Sequence, residues 1–305
     1  MAFLKVNFPG KERGVLIEGK LSGKTNVVIE REAGTYTISL EPPADFDLEQ
    51  DGVRSATMII SIINQTDGRL TDEEFQGAIR AINRQIKEDF EPYWTLSATL
   101  RLEGKSNAKM KQQAADMRGD AVLYVRDKVN VGDTLGYHDT YNRGIPFGVV
   151  FTELSAELNE SWTVTLSHEA LELIGDPEVN LLVMGPHPEH PQRSVFYWYE
   201  MCDAVQDESY AVDGVEVSNF ILPLYFTGGE ERGGRNDFLG RRHDGKTLRS
   251  FGVNPGGYIG FFNPKTGKHQ TFEREGDKRA AQRKQIKLRA RAARRAVRYQ
   301  RFSTS

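Results

Sequence analysis

Apolar and polar positions change rhythm several times along the chain, and each rhythm predicts a different element. Residues 3 to 42 alternate and turn often, with Val15-Leu16-Ile17, Asn26-Val27-Val28-Ile29 and Gly34-Thr35-Tyr36-Thr37-Ile38-Ser39-Leu40 separated by Gly, Lys and Ser. Period-two segments this short, broken by turn formers, predict β-hairpins. The acidic, Pro-bearing stretch from Glu41-Pro42-Pro43 to Gly52 then reads as a linker. A second unit opens at Val53. Ala56 to Ile63, apolar but for Thr57 and Ser61, is expected as a buried strand, and Thr71-Asp72-Glu73-Glu74 has the form of a capping box. Behind it Phe75, Ile79, Ile82 and Ile86 fall four, three and four apart, which predicts an amphipathic helix ending near Asp89 because Pro92 follows.

Leu96 to Leu102 and Ala121 to Val125 are expected as alternating strands and Ile145 to Phe151 as another, before a helix from Trp162. One helix between strands, then several strands, then another helix is an α+β order rather than a repeating parallel one. Val215 to Phe226 is expected as a strand pair. The Gly-rich loop Thr227 to Asn236 lacks the Lys-Ser/Thr that a phosphate cradle needs. The division predicted is a β module over 1–46, an α+β domain over 53–272 and a basic helical tail over 276–305. The first of these resembles small β modules of the PEGA type, in which a Gly-Thr-Tyr strand follows a short ladder.

Charge sharpens this division. The 305 residues carry a formal charge of only -3, from 40 Lys and Arg against 43 Asp and Glu, yet 11 of the basic residues and none of the acidic ones lie in 278–305. The rest therefore holds 29 basic against 43 acidic residues, an acidic body with a basic arm. In residues 278–301 Ile286, Ala290, Ala293 and Val297 draw an apolar line too thin for a core. Three uses are open to the arm: nucleic acid or another anionic surface, an acidic protein surface including the body itself, or a solvated helix. The single cysteine, Cys202, excludes an intramolecular disulfide and a multi-thiolate zinc cage, and it is expected to be a buried structural thiol. No apolar run approaches the ~18 residues of a membrane span and no signal segment is visible, so the expectation is a cytoplasmic chain.

Candidate chemistry concentrates in Ser161-Trp162-Thr163-Val164-Thr165-Leu166-Ser167-His168-Glu169-Ala170-Leu171-Glu172-Leu173-Ile174-Gly175-Asp176-Pro177. Ser161 is placed to cap a helix that Gly175 and Pro177 end. His168 and Glu172, four apart, stack on one face and can converge on a metal, and Glu169 is offset by about 100° beside them. The alternative is a half-exposed pair satisfied by Arg or Lys from elsewhere.

This helix resembles the active helix of zincin metallopeptidases, His-Glu-x-x-His, with Glu172 where the second His stands. It resembles more closely a widespread set of bacterial proteins that share Trp-Thr-Val-Thr-x-Ser-His-Glu-x-x-Glu, a following Asp-Pro and a downstream Glu-x-Cys-Asp, here Trp162 to Glu172, Asp176-Pro177 and Glu200-Met201-Cys202-Asp203. The resemblance covers about Val53 to Phe272. It implies a zincin-like domain with His168 and Glu172 as metal ligands, Glu169 as general base, and a peptide or protein substrate cut by a metal-activated water. For the third ligand Glu200 is the first choice, beside the aromatic run Phe196 to Tyr199; Asp203 follows, then Asp176. Glu178 matches the metzincin spacing, but Pro177 disturbs the turn it needs. Zn²⁺ is the expected ion. A shell of one His and two Glu neutralises the cation and weakens its acidity, which leaves Mn²⁺ or Ca²⁺ open.

Tyr137 and His138 in Gly136-Tyr137-His138-Asp139 are candidates for a substrate-binding edge or an oxyanion donor, against a plain loop. His187-Pro188-Glu189-His190, between Pro186 and Pro191, is expected as a solvated loop, and His243 and His269 have no expected role. The alternative to hydrolysis is a catalytically silent scaffold of the same fold whose basic tail binds nucleic acid or a partner protein.

Overall fold

The computed structural model describes residues 2–5, 14–17, 20–24, 28–31, 38–40, 57–103, 119–127, 136–140, 146–157, 159–230 and 233–274. The basic tail lies outside them. The chain divides into two compact units, Met1–Arg54 and Ser55–Ser305. The first is built of short antiparallel strands, as its alternating sequence predicts. Strand β1 (Ala2–Lys5) pairs with β4 (Val28–Arg31), and β2 (Gly14–Ile17) is flanked by β3 (Lys20–Lys24) and β5 (Ile38–Leu40).

The second unit mixes sheets and helices, an α+β composition. Its first sheet runs β7 (Ala98–Leu102), β6 (Met58–Gln65), β8 (Ala121–Arg126), β10 (Pro146–Phe151), β9 (Gly136–Thr140). The pairs β6/β7, β6/β8 and β8/β10 are parallel and only the edge strand β9 runs antiparallel. The sheet is therefore mixed, with its parallel pairs in the middle and an antiparallel strand at one edge. A parallel pair asks for a crossover of sufficient length, not for a helix in each crossover, so the sequence of helices and strands does not fix strand direction. Ala121 to Val125 is correspondingly buried on both faces rather than alternating. Leu123 and Val125 point into the main core with Ile60 and Ile62, while Val122 and Tyr124 join a second cluster with Val149, Phe151 and Leu154.

Helix α1 (Asp72–Arg84) packs on this sheet through Phe75, Ile79 and Ile82, at the spacing the sequence shows. Its capping box is complete: the Glu74 N–H donates to Thr71 Oγ1 at 3.2 Å, and the Thr71 N–H to Glu74 Oε2 at 2.7 Å. The run does not stop at Asp89. It passes through a π-helical turn, Gln85–Phe90, into a short helix α2 (Glu91–Trp94), in whose first turn Pro92 needs no backbone donor. Thr95, at φ 55°, ends it.

Beyond α3 (Thr152–Glu157) and α4 (Trp162–Gly175), a second, antiparallel sheet runs β11 (Leu182–Pro186), β12 (Ser194–Trp198), β15 (Tyr258–Asn263), β16 (Lys268–Glu273). Between its halves lies the hairpin β13 (Ser209–Val212) and β14 (Val215–Ser218). Its two-residue turn is Asp213-Gly214, both with positive φ (49° and 78°), as a primed turn demands. The pair expected over 215–226 is therefore displaced toward the N-terminus. Pro223–Phe226 forms a 3₁₀ turn instead, with the proline at its start. No helix among the described residues is long and apolar enough to cross a membrane.

Replacing Thr71 by Ala removes one half of the capping box. The expected outcome is a loss of about 1 kcal/mol, seen as a lower urea midpoint at unchanged slope.

Candidate metal centre

Helix α4 is unusual in that every residue from Thr163 to Gly175 is buried. Ser161 caps it, its Oγ accepting from the Thr163 N–H, and the Thr163 hydroxyl donates to Glu216 O at 2.6 Å. The helix packs against β8, β9 and β10 of the first sheet, against α3 and against β14. Four polar side chains of the stripe, Thr165, His168, Glu169 and Glu172, are therefore carried into the interior, each at most 7% exposed. Ionisable groups in such a place must be satisfied by neighbours, because an unpaired buried charge costs several kcal/mol.

The axial position of the stripe is set by a polar lock that the sequence did not reveal. Ser167, next to His168, donates to Gln85 Oε1 at 2.6 Å and accepts from the Ser218 N–H at 3.2 Å. Gln85 in turn donates through Nε2 to Ser218 O at 2.8 Å and to Tyr210 Oη at 3.2 Å, and the Tyr210 hydroxyl donates to Asp89 Oδ2 at 2.7 Å. One π-helical turn thus supplies both Gln85 and Asp89, and α4 and β14 are held to it.

Facing the stripe is the segment 200–206, which includes the 3₁₀ turn Asp203–Val205. It is fixed by backbone pairs from distant parts of the chain, Ile221 N–H to Met201 O at 2.8 Å and Asn254 N–H to Ala204 O at 3.0 Å. Two glycines allow the approach. A Cβ on Gly175 would lie 2.2 Å from Met201 Cε, and one on Gly257 would lie 2.3 Å from Ala204 O, so neither position accepts a larger residue without displacement. The turn also touches the helix directly, since the Cys202 N–H lies 3.4 Å from Glu172 Oε1.

The result is a compact set of ligating atoms. His168 Nε2 lies 3.0 Å from Glu172 Oε1, the contact expected of an i, i+4 pair, and 3.3 Å from Asp203 Oδ1. Among the described residues, one group of His, Cys, Asp or Glu places all its ligand atoms within 4.8 Å of one another: His168, Glu172 and Cys202. Glu200, half-buried, and Asp203 stand outside that group. Cys202, expected only as a structural thiol, is thus part of the constellation. Burial pushes its thiol well above the usual cysteine range, and the charges of Glu172, Asp203 and Glu169 push the same way. Glu169 is buried within electrostatic reach of the cluster, one residue after His168.

Other candidates have different occupations. Asp176 caps the loop after α4, accepting from the N–H groups of Asn180 at 3.1 Å and Leu181 at 2.9 Å. Glu178 is exposed and accepts from Asn180 Nδ2. Tyr137 and His138 lie on the edge strand β9, opposite Val149 and Gly148. The loop expected to be solvated at 187–190 is in part internal. His187 is buried against Phe261 and His190, its Nδ1 accepts from the Glu189 N–H, and its N–H donates to Arg193 O at 2.7 Å. Backbone pairs close the turn, the His190 N–H donating to His187 O at 3.2 Å and the Arg193 N–H to His190 O at 2.9 Å. His269 stacks on Trp198. His243 Nε2 meets Glu208 Oε1 at 2.8 Å, in a buried polar network where Asn219 Nδ2 donates to both Glu208 and Asp237 and Asn254 Nδ2 to Glu208.

Comparisons with protein-family models, with curated proteins and with solved structures find no match.

Two outcomes follow from this geometry. Ser167→Ala leaves Gln85 Oε1 without that donor and the Ser218 N–H without that acceptor, so a loss of about 1–3 kcal/mol is expected in urea unfolding. For the second network, burial raises the Asp237 carboxyl above its ordinary value of 3.8, and the Glu208 charge adds to the effect. A carboxyl raised in the folded state holds its proton more tightly there than in the unfolded chain. Its contribution to stability is complete below that ordinary value and is lost as pH rises through the raised one. The stability of the wild type relative to Asp237→Asn should therefore decline with rising pH across that window, measured by urea unfolding at successive pH values.

Proposed function

We propose that this chain is a metal-dependent peptidase or amide hydrolase with a zincin-like catalytic domain. The observation that carries the reading is the meeting of His168 Nε2 and Glu172 Oε1, 3.0 Å apart on a wholly buried helix, with a fixed turn bringing further donors to them. The donor chemistry fits a divalent transition metal: imidazole, carboxylate and thiol atoms, all buried, within 4.8 Å of one another. His168 and Glu172 hold the ion, and the third donor comes from the turn around Cys202 and Asp203.

When bound, the ion supplies Lewis acidity, which favours ionisation of water and polarises an amide carbonyl. The chain's own groups do the rest. Glu169, beside His168 and buried, accepts the proton of the attacking water and passes it to the leaving nitrogen. The burial of α4 keeps bulk solvent from the charges involved. Strand β9 is the edge of its sheet and packs near α4, so an extended peptide can pair along its backbone, with Tyr137 and His138 on that strand as candidate donors to the developing oxyanion. The substrate class is accordingly peptide or protein. A lone free thiol is compatible with a reducing compartment, and the cytoplasm is the location we propose.

A second reading rests on the 11 basic residues of 278–305: a catalytically silent scaffold whose arm binds nucleic acid or an acidic protein surface. The two readings separate by metal analysis and turnover. Purified wild type should carry about one zinc ion per chain, lost in His168→Ala, and Glu169→Gln should keep its ion while peptide cleavage falls at least about 100-fold. Wild type without bound metal, after incubation with zinc, overturns the hydrolase reading.

A further inference from the structure

The metal reading leaves open which atom of the 200–206 turn completes the ligand set, and with it which ions the site accepts. We infer that Cys202 is that ligand, a sulfur donor that makes the site select zinc and other thiophilic ions over Mn²⁺ and Ca²⁺. The inference rests on the proposed metal site and narrows it.

Three observations lead there. The Cys202 sulfur lies with His168 and Glu172 in the one group of mutually close ligand atoms among the described residues, whereas Glu200 and Asp203 do not. The residue is fully buried and its turn is clamped at both ends by the Met201 and Ala204 backbone pairs, so the sulfur is held at the cluster. Its own N–H points at Glu172 Oε1, 3.4 Å away, which registers the turn against the helix that carries the other two donors.

Asp203 has a different place in this arrangement. Its Oδ1, 3.3 Å from His168 Nε2, adds negative charge beside the imidazole without joining the compact group.

The donors would then be one imidazole nitrogen, one carboxylate oxygen and one thiolate sulfur, the three protein ligands that a catalytic zinc site has beside its water. That is the pattern of a catalytic zinc site rather than a closed structural one. On coordination the S–H bond is replaced by a sulfur–metal bond and the proton passes to the buffer. Soft thiolate favours zinc, cadmium and cobalt, while Mn²⁺ and Ca²⁺ prefer all-oxygen shells. The sulfur takes the place of the second carboxylate in a shell of one His and two Glu, and with it goes the preference for hard ions that such a shell creates.

The test is cobalt titration of the full chain after removal of bound metal. Wild type is expected to bind one Co²⁺ with a near-ultraviolet sulfur-to-cobalt charge-transfer band. Cys202→Ser is expected to bind Co²⁺ without that band, and its Cd²⁺ affinity should fall more than about tenfold, the loss typical of even an outer-shell partner. Mn²⁺ and Ca²⁺ should fail to displace cobalt from the wild type. Co²⁺ binding to wild type without the charge-transfer band overturns the sulfur ligand while leaving the metal site in place. Failure of wild type to bind Co²⁺, Zn²⁺ or Cd²⁺ at all overturns both. The wild-type spectrum decides the matter even if the serine variant does not fold.

Discussion

The structure turns on the burial of one helix. α4 has no solvent face, and yet it carries an imidazole and two carboxylates, so the groups that satisfy them have to come from other parts of the chain. The segment 200–206 does this from one direction, and the lock of Gln85, Ser167 and Ser218 fixes the helix along its axis from another. Several otherwise unrelated details serve that constraint. Gly175 and Gly257 lack side chains where Met201 and Ala204 press in, and Asn254 is placed to anchor the turn through its backbone.

What the sequence disclosed and what it concealed divide along physical lines. Local signals were legible. The Thr71 capping box, the Ser161 cap, the four-three-four spacing of the apolar face of α1 and the i, i+4 pair of His168 and Glu172 depend on neighbours a few residues away, and each appears in the structure. Cys202 was not legible as a cluster member, because its proximity to His168 is created by pairs spanning 20 to 50 residues. Strand direction in the first sheet was concealed for a similar reason, since it is set by crossovers and not by any residue pattern. His187 misled because prolines on either side usually mark an exposed loop. Here Phe261 arrives from β15 to cover the ring.

The acidic character of the body also changes meaning once burial is known. Glu103, Asp127, Glu169, Glu172, Asp176, Asp203, Glu208 and Asp237 are all buried. They are held inside, against hydrogen-bond donors and neighbouring polar groups, rather than offered at the surface. A basic arm that sought the body's surface would find fewer accessible carboxylates there than a plain count of residues implies.

The π-helical turn at Gln85–Phe90 has one more consequence, for the phase of the helix around it. Ile82, Ile86, Phe90 and Trp94 are spaced four apart, and on a regular α-helix each such step overshoots a full turn by about 40°. Four residues so spaced would fan across the helix surface, and the last would drift from the core. All four are buried, the most exposed at 7%. The wider turn absorbs the overshoot, taking in an extra residue and returning Phe90 and Trp94 to the line begun by Ile82. Deleting a single residue there would make the hydrogen bonding more regular and the packing worse, so the irregular helix is the one that fits.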